Sequence, residues 1–174
     1  MIARTVRLLA GLGHRLLLVV WRYLPLGARR IAVRILYPQF PIGAVAVVQD
    51  ALGRVLLVRQ TYHRGGIRWG APGGWLSGRE GPREAAAREA FEETGLRVRV
   101  GRVLDIDSGP YGEVSLAFEC QIVGDSGFRP SEETDEIGWF PPDALPPMTA
   151  DTRRLLERSL AAQAGWQPRP DAER

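Results

Sequence analysis

The sequence predicts an α/β sandwich built around a mixed sheet and preceded by an N-terminal amphipathic helical extension. Three observations lead to that class. Apolar residues recur at helical spacing over the N-terminal arm, short β-type runs begin at Ile42, and two helical stretches interrupt those runs. With 174 residues, 45% of them hydrophobic and 25% charged, the chain is long enough for one packed domain plus an extension of roughly 40 residues. We divide it into an extension at 1–40, a core domain at 41–165 and a proline-rich charged tail at 166–174.

In "MIARTVRLLAGLGHRLLLVVWRYL", Arg4, Arg7, His14, Arg15 and Arg22 share one helical stripe, and the other face is apolar. Pro25 and Gly27 break this pattern. "ARRIAVRILY" resumes it, with Arg30 and Arg34 four apart, until Pro38 stops it, so the arm is expected to be a helical hairpin. It holds seven arginines and no acid, the first acid being Asp50. Because the chain has 23 basic and 20 acidic residues, the remainder carries 16 minus 20, or −4. All the basic residues are arginine, a bias that extends over the whole chain and that we ascribe to genome composition.

A spanning helix needs about 20 apolar residues in a row. The uncharged run between Arg15 and Arg22 is only six residues, and no small-residue cleavage site of a secretory leader precedes the domain. Three roles stand open for the arm: packing on the core domain, pairing with a second subunit, or peripheral contact of residues 1–36 with a membrane surface.

"IGAVAVV" is apolar on both faces, as expected of an interior strand, and "RVLLVRQ" follows after Asp50 and Gly53 as its expected hairpin partner. "LRVRVGRVLDID" and "GEVSLAFECQIV" are strand-like. In the second, Val114, Leu116, Phe118, Cys120 and Ile122 alternate onto one face. "EIGWF" is a short last strand, and "ADTRRLLERSLAAQA" is a helix ended by Gly165. Cys120 is the only cysteine, which excludes an internal disulfide and fits a reducing compartment.

The stretch "GWLSGREGPREAAAREAFEETGL" carries the chemistry. Pro82 suits a first helical turn and Gly95 a C-terminal cap, so a helix is predicted over 82–94. Glu89, Glu92 and Glu93 then fall within an arc of roughly 100°, opposite Ala87, Ala90 and Phe91, which are expected to pack. A solvated face held by pairs such as Glu84–Arg88 and Arg88–Glu92 is the ordinary alternative. Against it, Glu89 and Glu93 repel at i, i+4 with Glu92 beside them, a cost that a cation would remove. The preceding "WGAPGGW" also lets main chain approach a ligand closely. Oxygen donors of this kind suit Mg²⁺ or Mn²⁺.

The spacing Gly74, Glu80, Arg88-Glu89-Ala90, Glu92-Glu93, Gly95-Leu96 resembles the signature of the Nudix hydrolases at every fixed position. The resemblance spans about residues 41–160 and leaves the arm unexplained. It implies a Nudix-type α/β/α sandwich and metal-dependent hydrolysis of a nucleoside diphosphate linked to another group. It also implies that Glu89, Glu92 and Glu93 are metal ligands, with the Gly73 carbonyl as a further one, and that Arg88 and Glu80 orient the glutamates. The family's general base varies. Glu133 and Glu136, before the last strand, are candidates, as is Glu113; for the first two a solvated acidic turn is an equal reading. Enzymes of the family that act on ADP-ribose often carry a proline about fifteen residues past the box, where Pro110 stands.

Arg59, Tyr62, Trp69, Pro110 and Tyr111 are the candidate substrate contacts, the aromatics through stacking on a base or ribose, although each aromatic also fits core packing or loop anchoring. His63 and Arg68 are weaker candidates for phosphate contact. ADP-ribose or a nucleotide sugar is the favoured substrate. A nucleoside triphosphate pyrophosphohydrolase of the MutT type, or a non-catalytic nucleotide sensor, is the alternative. The arm's aromatics are not interleaved with its arginines, so no specific nucleic-acid partner is expected. A cytoplasmic location, with contact at the inner membrane surface or a homodimer through the arm, completes the expectation.

Overall fold

The computed structural model describes residues 18–61, 69–109, 112–124, 127–129, 131 and 133–165. The chain separates into two compact units, residues 1–39 and 40–174. In the first, residues 18–23 are helical and a second helix, α1, runs Leu26–Leu36 after Pro25. Arg29 fastens the corner between them: its Nε donates to the Leu24 carbonyl at 3.0 Å and its Nη2 to the Arg22 carbonyl at 2.9 Å. Two of the acceptors that a helix end leaves open are thereby filled.

The second unit holds β1 (Ile42–Val48), β2 (Val55–Gln60), β3 (Trp69–Gly70), β4 (Gly73–Trp75), helix α2 (Pro82–Thr94), β5 (Val98–Ser108), β6 (Val114–Ile122), β7 (Thr134–Phe140) and helix α3 (Ala150–Ala164). Four strands form one sheet in the order β4-β1-β6-β5, and three form another in the order β3-β2-β7. The larger sheet is mixed, since β1 runs parallel to β6 and antiparallel to β4.

β1 and β2 are not the hairpin that their spacing predicts. They meet only at the bridge Gln49–Val55 and then enter different sheets. The turn between them is held by Asp50, whose Oδ1 accepts the Leu52 and Arg54 amides at 2.9 Å, with Gly53 at φ +74°. Each strand is apolar on both faces because each is covered on both. Ala44, Ala46, Val48 and Leu56 pack with Ala85, Ala86 and Ala90 of α2, whereas Val47, Val55 and Leu57 pack with Leu155, Leu156 and Leu160 of α3. The result is the α/β/α sandwich. In β6, Leu116, Phe118 and Cys120 join the α2 side as the alternation predicts, while Ile122 at the strand end is exposed.

"WGAPGGW" is more than a loop. Trp69–Gly70 pairs with β2 and Gly73–Trp75 with β1, so Ala71 and Pro72 carry the chain from one sheet to the other directly below α2's acidic end. Helix α2 keeps its predicted bounds. Gly81 donates its amide to Glu84 Oε2 at 2.8 Å at the start, and Gly95, at φ +74°, donates to the Phe91 carbonyl at the end.

Candidate active site

The packing face of α2 differs from expectation. Ala85, Ala86, Ala90, Glu93 and Thr94 are buried, whereas Phe91 is about half exposed, its ring 5.4 Å from the Arg97 guanidinium. The carboxylates are therefore not opposite the packing face: Glu93 lies within it and Glu89 at its edge. Three small alanines let the helix sit close on β1, which draws the neighbouring glutamates to the helix–sheet contact and away from water.

Arg88 organises this edge. Its Nε and Nη2 reach Glu80 at 3.0 and 2.8 Å, Nη1 reaches Glu89 at 2.7 Å and Glu92 at 2.8 Å, and Nη2 also donates to the Trp75 carbonyl at 3.0 Å. A planar guanidinium with five donors can hold three carboxylates in fixed directions, which an ammonium cannot. Glu80 is further held by the Ser77 amide at 2.6 Å and hydroxyl at 3.0 Å. Principally through Arg88, its carboxyl is pulled down to about 2. The same partners raise the proton affinity of Arg88.

Glu93 is the opposite case. It is 3% exposed and accepts the Gly73 amide at 2.9 Å. Burial pushes its pKa up to about 7 against the pull of that amide, and the nearby Glu89 and Glu133 charges add to the rise. Burial likewise raises Glu89, despite Arg88. Two acids held at raised proton affinity by desolvation and mutual repulsion form a place where a cation is favoured.

The two glycines beneath them are required by space. A Cβ on Gly73 would meet the Ala44 carbonyl oxygen at 2.7 Å, and one on Gly74 would collide with the Glu89 carboxylate. Ala46 donates to Pro72 and Leu76 to Ile42 across the β1–β4 pair, which puts Gly73 in the alternate position between bonded pairs. There its amide and carbonyl both point away from β1, toward Glu93. The carbonyl is thus directed into the carboxylate edge.

A cleft of about 640 Å³ runs over this edge, lined by Gly73, Gly74, Arg88, Glu89, Glu92 and Glu133 among others. Beside it lies a cavity of about 530 Å³. The two share Val45, Gly73, Trp75 and Ser115. Trp69 lines the cavity and stands edge-on to Phe140, centroids 4.9 Å apart. Glu113 also lines it.

The structure thus brings Gly73, Glu80, Arg88, Glu89, Glu92, Glu93 and Glu133 together, with Trp69 alongside. It does not bring Arg59 and Glu136 there: they pair with each other at 2.5 Å across β2 and β7, with Asp135 2.8 Å from Arg59, and neither lines the cleft or the cavity. The physical reason is strand register, since Arg59 and Glu136 are direct cross-strand partners. Tyr62, Pro110 and Tyr111 lie outside the described residues. Gln60, which hydrogen-bonds Glu93, and Ser115, Asp107, Asp151, Thr149 and Thr152 of the cavity wall are additions that no local pattern announces.

The family described as NUDIX domain matches residues 39–159. The chain belongs to the Nudix family. It is a pyrophosphohydrolase of that family. It is 32% identical over 123 residues to a MutT-like protein of Streptomyces ambofaciens, covering 69% of this chain and 77% of that one. It is also 32% identical over 130 residues to the NAD-capped RNA hydrolase NudC of Edwardsiella ictaluri, covering 72% of this chain but only 49% of that relative. Among solved structures, an ADP-ribose pyrophosphatase of Streptococcus suis superimposes with a TM-score of 0.64 at 25% identity, covering 74% of this chain and 96% of that one.

Nudix hydrolases generally use a divalent metal, and the donors here fit one. They are hard oxygens, two of them on carboxylates of raised proton affinity, beside a main-chain carbonyl aimed at the same edge. Among the described residues no three His, Cys, Asp or Glu side chains are assembled as a finished ligand cage; Glu92 is paired with Arg88 at 2.8 Å. Its side chain is 55% exposed, so it can exchange that partner for a cation by rotating.

Proposed function

We propose that this Nudix enzyme hydrolyses the diphosphate bridge of a nucleoside diphosphate joined to a second moiety, ADP-ribose or a nucleotide sugar. Glu89, Glu92, Glu93 and the Gly73 carbonyl would hold Mg²⁺, with Mn²⁺ as substitute, which would supply neutralisation of the diphosphate charge and a lowered proton affinity of the attacking water. The water oxygen attacks one phosphorus, the bridging P–O bond breaks, and the water's proton passes to a carboxylate. Glu133 is the candidate for that acceptor, since it lines the cleft and its charge is felt by both Glu89 and Glu93. Arg88 and Glu80 keep the glutamates oriented while this happens.

One observation carries the substrate reading: the cavity joined to the carboxylate cleft through Gly73, Trp75 and Ser115. Its volume of about 530 Å³ is that of a small-molecule site, and an open cleft continues beyond the acidic edge. A diphosphate lying across the shared residues therefore has room for a bulky group on each side. The cavity wall offers aromatic surface from Trp69 and Trp75, hydroxyls from Ser115, Thr149 and Thr152, and the carboxylates Asp107, Glu113 and Asp151, with no arginine among its described lining residues. Such a wall suits ring stacking and acceptor contacts to sugar hydroxyls, and disfavours a further phosphate. The nucleotide chemistry and the lone Cys120 suit a cytoplasmic enzyme.

The relative named MutT-like protein supports a second reading, a triphosphate pyrophosphohydrolase. Incubation with Mg²⁺ or Mn²⁺ and a panel of ADP-ribose, nucleotide sugars, dinucleoside polyphosphates and dNTPs separates the two. The expected products are a nucleoside monophosphate and a sugar phosphate. Release of pyrophosphate from dNTPs alone overturns the reading in favour of the second. Metal-dependent nucleotide binding without any product makes the protein a sensor.

A further inference from the structure

The basic arm is not used by the hydrolytic chemistry, and its own surface has an unusual composition. Residues 1–40 carry seven arginines and no acid, while the remaining residues carry a formal −4, so the cationic character of the chain resides in the arm. The arm is also apolar where it is exposed. On α1, Ile31, Ile35 and Leu36 occupy one face and are 62%, 77% and 71% exposed; in the preceding helical segment Leu18, Val19 and Val20 are 49–55% exposed. Tyr23 and Tyr37, at 79% and 63%, flank α1 at its two ends. No residue of α1 is buried. A shallow groove on the same unit has Leu26 and Val33 between Arg29, Arg30 and Arg34.

From this we infer that the arm docks the enzyme on an anionic lipid surface, with the two arm helices lying in the plane of the headgroups. Lipid phosphates would take the Arg30 and Arg34 guanidinium groups, and the acyl boundary would take Ile31, Ile35 and Leu36. Tyr23, Tyr37 and Trp21 are the residue types that settle at headgroup level, with an apolar ring and a polar tip. The Arg29 corner, whose guanidinium lies 5.9 Å from the Trp21 ring, keeps the two helices together as one surface. Among the described residues no helix is long and apolar enough to cross a membrane.

Charge decides between occupants. A nucleic acid would satisfy the arginines but leave the isoleucines and leucines in water. A second copy would cover the apolar face but bring another set of arginines with no acid in either arm to meet them, and like charges facing each other are repelled. Anionic phospholipid is the surface that satisfies both features at once.

The test is flotation of the full chain with phosphatidylcholine vesicles and with vesicles enriched in phosphatidylglycerol. Recovery on the anionic vesicles is expected to be at least about tenfold higher, and to fall when salt is raised. Two double variants separate the contributions: Arg30→Glu with Arg34→Glu, and Ile31→Asp with Ile35→Asp. Each should lower vesicle recovery by about tenfold or more while circular dichroism and the rate on a soluble substrate stay at the parent level. Equal recovery on both vesicle types, no recovery on either, or variants that float like the parent would overturn the inference. So would sedimentation of the parent as a dimer that Ile31→Asp with Ile35→Asp dissociates, with no vesicle binding, which gives the face to a second copy.

Discussion

Arg88 is joined to Glu80, Glu89 and Glu92 within 3.0 Å, and on the other side of the sandwich Arg154 and Arg158 are joined to Asp105, Asp107 and Asp151 within 3.3 Å. The two webs use the same guanidinium–carboxylate chemistry. They differ in their surroundings. The Arg88 side chain is 29% exposed and its partners Glu80 and Glu89 are 16% and 12% exposed, whereas Arg154 and Arg158 are 46% and 44% exposed. The Arg88 web also adjoins Glu93, which accepts the Gly73 amide and a hydrogen bond from Gln60 but forms no salt bridge among the described residues, so burial raises its pKa to about 7. In the Arg154 web every aspartate has an arginine, and Asp107 is held below its ordinary value despite its own burial. An ion-pair web becomes a reactive site where it leaves an acid uncompensated, and a strap where it leaves none.

The hardest way to break this contrast is to neutralise the uncompensated acid. Glu93→Gln and Glu92→Gln are each expected to lower turnover by at least about a hundredfold with the fold retained, as for loss of a metal ligand. Unchanged turnover would remove the residue concerned from the ligand set. Glu93 adds a pH signature. Its folded pKa, about 7, lies above that of an ordinary unfolded glutamate, so between the two values the folded state binds more protons than the unfolded state. Metal-free protein therefore loses stability as pH rises through that window and levels off above about 7, by up to roughly 3 kcal/mol. Denaturant titrations at pH 5 and pH 8 should show the loss in the parent without metal and a much flatter profile in Glu93→Gln. Added Mg²⁺ should restore the parent at pH 8 by binding the folded state.

Gly74→Ala sharpens the contrast from the side of shape. The new methyl would collide with the Glu89 carboxylate, the movable end of a side chain, so the helix should survive while the carboxylate is displaced. The Mg²⁺ concentration for half-maximal rate is expected to rise by about tenfold, with a smaller change in melting temperature, as for a mispositioned ligand. A metal response like the parent's would show that Glu89 does not need its present direction. Gly73→Ala meets backbone at Ala44 and Val45 instead, and should cost stability on the order of 1–3 kcal/mol, read by denaturant unfolding.

These cases show which parts of the structure are legible in sequence. Pro82 and Gly95 punctuate α2 through rules that act within a turn of the chain, so its bounds follow directly. The Nudix spacing marks Glu89, Glu92 and Glu93 for the same reason: one helix carries them. What local spacing cannot give is the phase of that helix against the sheet. Alanine is compatible with either face, and only the close approach of Ala85, Ala86 and Ala90 to β1 puts Glu93 inside and Phe91 outside. The pairing of β1 and β2 escapes local spacing on similar grounds, because two strands buried on both faces give no clue to which sheet each joins. Arg59 and Glu136, 77 positions apart in the chain, meet through the register of β2 and β7, and Gln60, Asp107 and Asp151 reach the site from three separate elements. Such meetings are properties of the topology alone.

The mildest test bears on the strap. Arg154 donates to Asp107 at 3.3 Å and to Asp151 at 2.7 Å, one on β5 and the other in the first turn of α3, and both aspartates line the cavity. Arg154→Ala should leave the fold nearly unchanged, because exposed pairs contribute little, and Arg158 continues to hold Asp107 at 3.1 Å. Asp151 loses its arginine and gains freedom to move, so the cavity wall is held less firmly. If that wall holds the group on the far side of the diphosphate, KM should rise by about three- to tenfold while kcat stays within about twofold, the pattern of lost uniform binding. Raising salt should move the parent's KM toward that of the variant, since exposed charges are screened over about 10 Å at 0.1 M. A fall in kcat at constant KM would mean that the Arg154 web bears on the chemical step, and the distinction between strap and site would fail.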